Sequence, residues 1–377
     1  MKTLVATAVT AALMAGSASA FAAKPGTPTL GDIFEASGVS VTGYLDTSYT
    51  YLTGSGSFVG GACDTFGVGC SRVYDREHNS FNLHMLDLTV SSLPKQGFGA
   101  LADLNFGSDA NVHAAAGTDP FDEFDVQQGF VNYAQGPFNV MMGKFVTLAG
   151  AEVIKSPDNL NFTRGILFGY AIPFTHTGVR ASYTIGDALK FTAGINNGWD
   201  VLKESATVDN DKTVEFGVAF NPAKNLATSL AVYRGEESVG GVPPGMRTLI
   251  DAVASLNLSD AITVALNVDI AEHEDAFGPG QDAEWQGIAA YGNFKLAPMW
   301  RIAARAEYFN DKDGYRTAGV ANKWNEITAT LGYMPTKAVE LRAEVRADRS
   351  NRAIFLENDG TAEKSQQSVG LEALYKF

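Results

Sequence analysis

From residue 38 onward the chain alternates. Val39, Val41, Gly43, Leu45, Thr47, Tyr49 and Tyr51 form one parity, largely apolar or aromatic. Ser40, Thr42, Tyr44, Asp46, Ser48 and Thr50 form the other, largely polar. A period of two marks an extended strand whose two faces meet different surroundings. The stretch 38–52 exceeds the ~9–11 residues that a tilted strand needs to cross a bilayer. Alternation recurs to the C-terminus and predicts strands near 79–93, 97–107, 124–135, 137–147, 175–185, 188–197, 212–221, 225–234, 248–259, 261–271, 284–296, 299–309, 324–334, 338–348 and 366–377. With the first, that is sixteen.

The pattern is cleanest late in the chain. Val339, Leu341, Ala343, Val345 and Ala347 alternate with Glu340, Arg342, Glu344, Arg346 and Asp348. Trp300, Ile302, Ala304, Ala306 and Tyr308 alternate with Arg301, Ala303, Arg305, Glu307 and Phe309. In the second strand the apolar set slips between Met85 and Leu86, which a β-bulge, or a different register, would account for.

The connections fall into two alternating classes. Short ones, such as Gly186-Asp187, Ser259-Asp260 and Pro335-Thr336-Lys337, follow the even-numbered strands. Long ones cover 53–78, 108–123, 148–174, 198–211, 235–247, 272–283, 310–323 and 349–365. Strict alternation of short and long connections is the mark of an up-and-down barrel with tight turns at one end and long loops at the other. A soluble sandwich has no reason to gather every long connection at one end. An even strand count puts both termini at the short-turn, periplasmic end. The predicted fold is therefore all-β: a 16-stranded antiparallel transmembrane up-and-down β-barrel over 38–377.

The stretch from Gly143 to Tyr183 interrupts this regularity. Between two alternating ends lies a segment without alternation that carries Glu152, Lys155, Asp158 and Arg164. A loop of that length in a compact fold is usually functional. Its apolar run, Ile166, Leu167 and Phe168, needs something to pack on. The expectation is that this third outer loop folds into the lumen and narrows the pore.

Residues 1–22 do not belong to the pattern. Lys2 supplies a positive start, Leu4 to Met14 is apolar and too short to span a bilayer as a helix, and Ala18-Ser19-Ala20 and Ala20-Phe21-Ala22 both fit a cleavage site. This reads as a secretory signal peptide cut after Ala20 or Ala22. A short periplasmic segment, 23–37, would follow, with a helical turn or plug in LGDIFEAS. Losing Lys2 leaves the mature chain one unit more negative than the formal −14. That acidity suggests a modest cation preference, although much of it lies in loops, with Asp119, Asp122, Glu123 and Asp125 in one cluster and Glu272, Glu274, Asp275, Asp282 and Glu284 in another. A solvated acidic loop accounts for both clusters, while divalent bridging to lipid head groups is the sharper alternative. Cys63 and Cys70, close together in an exported chain, predict one local disulfide.

Other chemistry finds little support. Asn310-Asp311-Lys312-Asp313-Gly314 lacks the acids that an EF-hand needs at Phe309 and near Val320. GPFNVMMGK, 136–144, has the wrong spacing for a P-loop. His78, His84, His113, His176 and His273 are scattered and predict no metal site. No G-x-S-x-G motif marks a hydrolase, and the acidic balance argues against nucleic acid. Neither a cofactor nor an enzymatic activity is expected.

The last strand places Val369, Leu371, Ala373, Tyr375 and Phe377 on one face. Its terminal aromatic resembles the signature by which bacterial outer-membrane barrels are recognised by the barrel-assembly machinery. Gly143-Lys144-Phe145, Gly150-Ala151-Glu152, Asn159 to Arg164, Pro173 to Arg180 and Asn197-Gly198-Trp199-Asp200 are similar to the β-barrel porin-2 (OmpL-like) family. The resemblance implies a channel in the outer membrane of a Gram-negative bacterium, in contact with lipid and lipopolysaccharide, passing small hydrophilic solutes and ions. It implies that the loop after the fifth strand folds inward, as in sixteen-stranded porins. Trimers are common among porins, so a homotrimer built on a flat outer wall stands beside a monomer.

The pore-wall candidates are Asp46, Arg301, Arg305, Arg342 and Arg346. Arginines facing Glu152 and Asp158 across the constriction would set up a transverse field that orients dipolar solutes. In the alternative, they pair with Glu307, Glu340 and Glu344 on their own wall. Three further functions stay open: a channel preferring sugars or anions through Tyr44, Trp199 and the arginine wall, a surface anchor or adhesin, and an outer-membrane enzyme.

Overall fold

The computed structural model describes residues 30–61, 63–64, 69–115, 123–204, 211–238, 244–317 and 319–377. The stretch 1–22, expected to be a signal peptide, lies outside these, as do Asp119 and Asp122. The chain divides into two compact units, Met1–Val39 and Ser40–Phe377. In the first, helix α1 spans Leu30–Ser37. Gly38 ends it at φ +68°, a left-handed conformation that glycine adopts without strain.

The second unit is a closed barrel of sixteen strands. They are β1 Ser40–Leu52, β2 Ser80–Ser92, β3 Gln96–Phe106, β4 Phe124–Gln135, β5 Phe138–Val146, β6 Thr175–Ile185, β7 Leu189–Asn196 and β8 Thr213–Ala223. Then come β9 Leu226–Glu237, β10 Gly245–Ser259, β11 Ile262–His273, β12 Ala283–Ala297, β13 Trp300–Asp311, β14 Asn322–Tyr333, β15 Val339–Ser350 and β16 Ser365–Lys376. Each pairs antiparallel with its chain neighbour, and β1 pairs with β16 to close the ring. At the seam the Gly43 and Phe377 backbones exchange two hydrogen bonds of 3.0 Å. A Cβ on Gly43 would come within 2.6 Å of the Phe377 ring, so the terminal aromatic covers the glycine.

Parity sorts the residues as expected. Leu45, Tyr51, Leu371, Val369, Val345 and Ile302 are exposed on the outer face, while Asp46, Ser48, Glu344, Arg346 and Glu372 point inward and are buried. Near the short turns, Phe98, Phe138, Tyr183, Trp300, Tyr375 and Phe377 form an exposed aromatic girdle. The irregularity in β2 is a bulge. Asp46 faces Met85 and Thr47 faces Leu83, so His84 is the extra residue and both His84 and Met85 turn inward.

Alternation could not reveal three features. Residues Gly54–Phe58, Phe355–Glu357 and Ala362–Glu363 form a small separate sheet joining the first and last long connections. A short helix, α2 Ser108–His113, sits in the second. The first long connection, expected to lie outside, also folds inward: Cys70 to Asp75 are buried, and Arg72 pairs with Asp75 at 3.1 Å and with Asp348 at 2.9 Å. The lumen is accordingly part apolar. Trp285, Trp324, Phe309, Tyr233 and Tyr291 face inward and share one core with Phe58, Tyr74, Phe355 and the apolar run of the 148–174 loop. The inward parity was expected to be polar, and these scattered aromatics depart from that.

Candidate pore constriction

The backbone of 148–174 is irregular, so its N–H and C=O groups need partners that a strand would have supplied. The inward-facing wall supplies them. Arg301 Nη1 donates to Leu160 O at 2.7 Å and Arg305 Nη1 to Thr163 O at 2.5 Å. Arg342 Nη2 donates to Asn159 O at 2.9 Å and Arg346 Nη1 to Arg164 O at 2.6 Å. Two glutamates do the reverse. Glu344 accepts from Phe162 N at 2.7 Å and Thr163 N at 3.0 Å, and Glu307 from Ile166 N at 2.6 Å and Leu167 N at 3.2 Å. Ser156 Oγ donates to Glu372 at 2.5 Å, and Trp285 Nε1 to Ala171 O at 3.1 Å. The loop is thus seated along the wall from β12 through β16.

The seat is also shaped by absent side chains. A Cβ on Gly287 would meet Leu167 Cδ1 at 2.6 Å, and one on Gly370 would meet the Phe162 ring at 2.8 Å. Real Cβ atoms do not approach so closely, so these two wall glycines are sockets for the loop. The turn that presents Leu167 is a single π-helical turn, Leu167–Ala171, a local widening frequent at functional sites.

Both charge pairings considered from the sequence occur, and Arg305 makes both. Arg305 alone meets a loop carboxylate, Glu152, at 2.6 Å, and it also holds Glu326 at 2.9 Å and Glu307 at 3.6 Å. Arg301 pairs with Glu340 at 2.6 Å, Arg342 with Glu340 and Glu372 at 3.1 Å each, and Arg346 with Asp348 at 2.9 Å. All four are buried. They anchor the loop and do not face an aqueous gap, because a buried guanidinium must exchange water for fixed acceptors.

The loop's own charges divide likewise. Glu152 is buried between Arg305 and the Gly165 N–H, which it accepts at 2.6 Å. Arg164 turns back into its loop, donating to Val153 O, Ile154 O and Phe162 O at 3.1, 2.6 and 2.8 Å. Lys155 reaches past β1 to the next strands of the ring, 3.0 Å from both Asp87 on β2 and Asp103 on β3. Asp158 is exposed, and among the described residues no cation pairs with it. Beside the loop lies a cavity of ≈ 580 Å³ lined by Gln127, Gln128, Thr147, Val153, Lys155 and Asp158, among others. Next to it Asp125 is neutralised by Lys144 at 2.9 Å. Three buried carboxylates, those of Asp87, Asp103 and Asp125, therefore share two lysines beside the loop, and the exposed Asp158 has none.

Of the remaining candidates, Asp46 is 2 % exposed on the inner face of β1. Tyr44 packs with Met85 and Leu374 and offers no ring face to a solute. Cys63 and Cys70 are joined by a disulfide. Asp200 closes the far end of the loop, accepting from Phe174 N at 2.7 Å and Thr175 N at 2.8 Å. Sequence reasoning placed Asp200 and Lys144 only in family-like blocks and missed their roles, and it did not single out Asp87 or Asp103. Their inward parity was the available signal.

Comparison with known proteins agrees with this architecture. The anion-selective porin from Comamonas acidovorans superposes with TM-score 0.64 at 14 % identity, covering 90 % of this chain and 99 % of that one. The outer membrane channel DcaP of Acinetobacter baumannii gives 0.61 at 15 % identity, covering 90 % and 97 %. The trimer form of OmpT from Vibrio cholerae gives 0.60 at 12 % identity, covering 90 % and 99 %. Identities this low speak to fold alone. Comparison with curated proteins finds no match. The family model described as "Putative beta-barrel porin-2, OmpL-like" matches residues 38–377, and the chain belongs to that family of outer-membrane porins.

Proposed function

We infer that this protein forms a water-filled outer-membrane channel through which small hydrophilic solutes and ions diffuse, with passage governed by the 148–174 loop. The observation that carries this reading is the seating of the loop on one side of the lumen, which leaves its free face, with Asp158, beside the cavity next to β4 and β5. A sixteen-stranded barrel is too wide for wall side chains alone to fill, so a docked segment determines its bore. Selectivity follows the exposed, unpaired Asp158 on the open side, backed by three carboxylates that share two lysines, and favours cations. Within this reading residues 1–22 are the export signal, the long loops face the exterior, and Phe377 at the seam serves barrel assembly. The trimer form of the Vibrio OmpT is consistent with a homotrimer here.

Planar-bilayer recording tests the proposal. A steady ohmic conductance with a reversal potential on the cation side in a KCl gradient is the expected result. Absence of conductance from folded protein overturns the channel reading, and an anion-side reversal potential overturns the assignment of selectivity.

A further inference from the structure

At the long-loop end of the lumen, five side chains from four elements converge. Arg247 opens β10, Trp285 opens β12, Trp199 lies in the connection after β7, and Tyr315 and Arg316 lie in the connection after β13. The two guanidinium carbons lie 5.1 Å and 5.0 Å from the centre of the same ring, that of Trp199. Arg316 is also 5.4 Å from the Trp285 ring, and Arg247 is 6.0 Å from that of Tyr315. Cation–π contacts hold both arginines in place, but they do not neutralise them.

Charge compensation is thin here compared with the loop seat. Arg316 donates through Nε to Tyr170 O at 2.6 Å. Among the described residues no carboxylate comes within ion-pair distance of its guanidinium. Asp311, the last residue of β13, instead accepts the Arg316 backbone N–H and the Thr317 hydroxyl. Arg247 has one carboxylate, that of Glu237, at 3.7 Å. That carboxylate is already occupied by Trp199 N at 3.0 Å and Thr213 Oγ1 at 2.8 Å. The rest of Arg247 is spent on neutral groups, Tyr315 Oη at 2.9 Å and His273 Nδ1 at 3.0 Å. Burial, and then the neighbouring Arg247 charge, hold the Arg316 guanidinium below its ordinary pKa. Two cations thus crowd one indole in a chain whose formal charge is −14.

We propose that Arg247 and Arg316, braced by Trp199, Trp285 and Tyr315, form a capture site for the carboxylate group of small solutes at the channel entrance. A carboxylate matches the flat donor fork of a guanidinium, and its charge relieves the repulsion between the two. The indole and phenol faces are taken by the guanidiniums, which disfavours neutral sugars that would need those faces for stacking. The cluster is linked to the loop through Arg316 to Tyr170 O and Trp285 to Ala171 O. Delivery through the pore rests on the channel reading, whereas binding does not.

Titration calorimetry on detergent-solubilised protein at low salt, with succinate as probe and glucose as control, tests the site. Succinate binding that weakens at least tenfold in Arg316→Gln and in Arg247→Gln, with glucose giving no heat, is the expected result. Arg316→Lys keeps the charge without the fork and is expected to fall between wild type and Arg316→Gln. Far-UV circular dichroism and heat-modified gel mobility establish that each variant has folded. Succinate binding of equal strength in wild type and both glutamine variants, or no succinate binding to wild type, overturns the proposal. KCl conductance of the wild type, recorded separately, reports on the channel reading without reference to this site.

Discussion

Removing Arg305 is the sharpest perturbation of the loop seat. Its side chain is 0 % exposed, and it lies within 4 Å of three carboxylates, those of Glu152, Glu307 and Glu326. It also donates to Thr163 O and, at 3.1 Å, to Thr163 Oγ1. Deleting one partner of a buried ion pair costs about 3–5 kcal/mol, because the other is left charged and dry. The lower end applies here. Glu307 keeps its two loop N–H bonds, Glu152 keeps the Gly165 N–H, and Glu326 remains 3.9 Å from Arg346. Because Glu152 and Thr163 belong to the loop while the other partners belong to the wall, the cost falls on docking. About 3 kcal/mol multiplies the undocked-to-docked ratio by roughly 150. Single-channel records of Arg305→Ala at low ionic strength, where screening is weakest, are expected to show frequent excursions to a larger conductance that wild type visits rarely. Glu152→Met combined with Arg305→Met should lose less than the sum of the single changes, since Glu152 is then no longer left as a charge without its partner. A folded Arg305→Ala barrel with wild-type conductance, noise and reversal potential would refute the view that this side chain holds the loop in place.

Asp158→Asn removes an exposed, unpaired charge from the open side. It should move the reversal potential toward the anion side and change the chaotrope midpoint by less than about 0.5 kcal/mol; an unmoved potential would place the selectivity elsewhere. Burial pushes the Asp200 carboxyl up to about 6, against two backbone N–H bonds that favour its charged form. The stability tied to that raised value is fully present below the ordinary aspartate range near pH 4 and is lost as pH rises through about 6. Asp200→Asn retains an acceptor oxygen and cannot titrate, so the decline across that window should flatten by about 1–2 kcal/mol, screening having reduced the effect at this half-buried side chain; overlapping pH profiles would contradict it. Deleting Phe377 uncovers Gly43 and removes the two seam hydrogen bonds, and barrel yield in the outer membrane should fall severalfold while soluble aggregate rises; equal yield would show that the seam closes without it.

The barrel was legible because a two-residue period repeats along every strand and its phase carries a penalty. A slip of one residue would turn Arg301, Arg305, Arg342 and Arg346 toward lipid. Even the bulge at His84 left a trace, since the apolar parity changes phase across it. The 148–174 segment stood out because alternation stops there. Its internal arrangement was not legible. Whether Glu152 or Asp158 faces the open side depends on which backbone N–H each carboxylate reaches, and no sequence period encodes that. The inward fold of Cys70 to Asp75 escaped for a related reason: a loop that packs on another loop leaves no repeat in either. Arg247 and Arg316 are separated by long stretches of chain and meet because the antiparallel run from β10 to β13 brings the start of one and the end of the other to one rim.

The glycine sockets at Gly287 and Gly370 separate two ways of opening this pore. Removing a charged anchor alters the bore and the field together, so its effect on selectivity is ambiguous. Gly287→Ala or Gly370→Ala would add a single methyl group, leave every ionisable residue in place, and push Leu167 or Phe162 off its seat. The channel would become wider by gaining atoms, and any change in ion preference that followed would come from geometry alone.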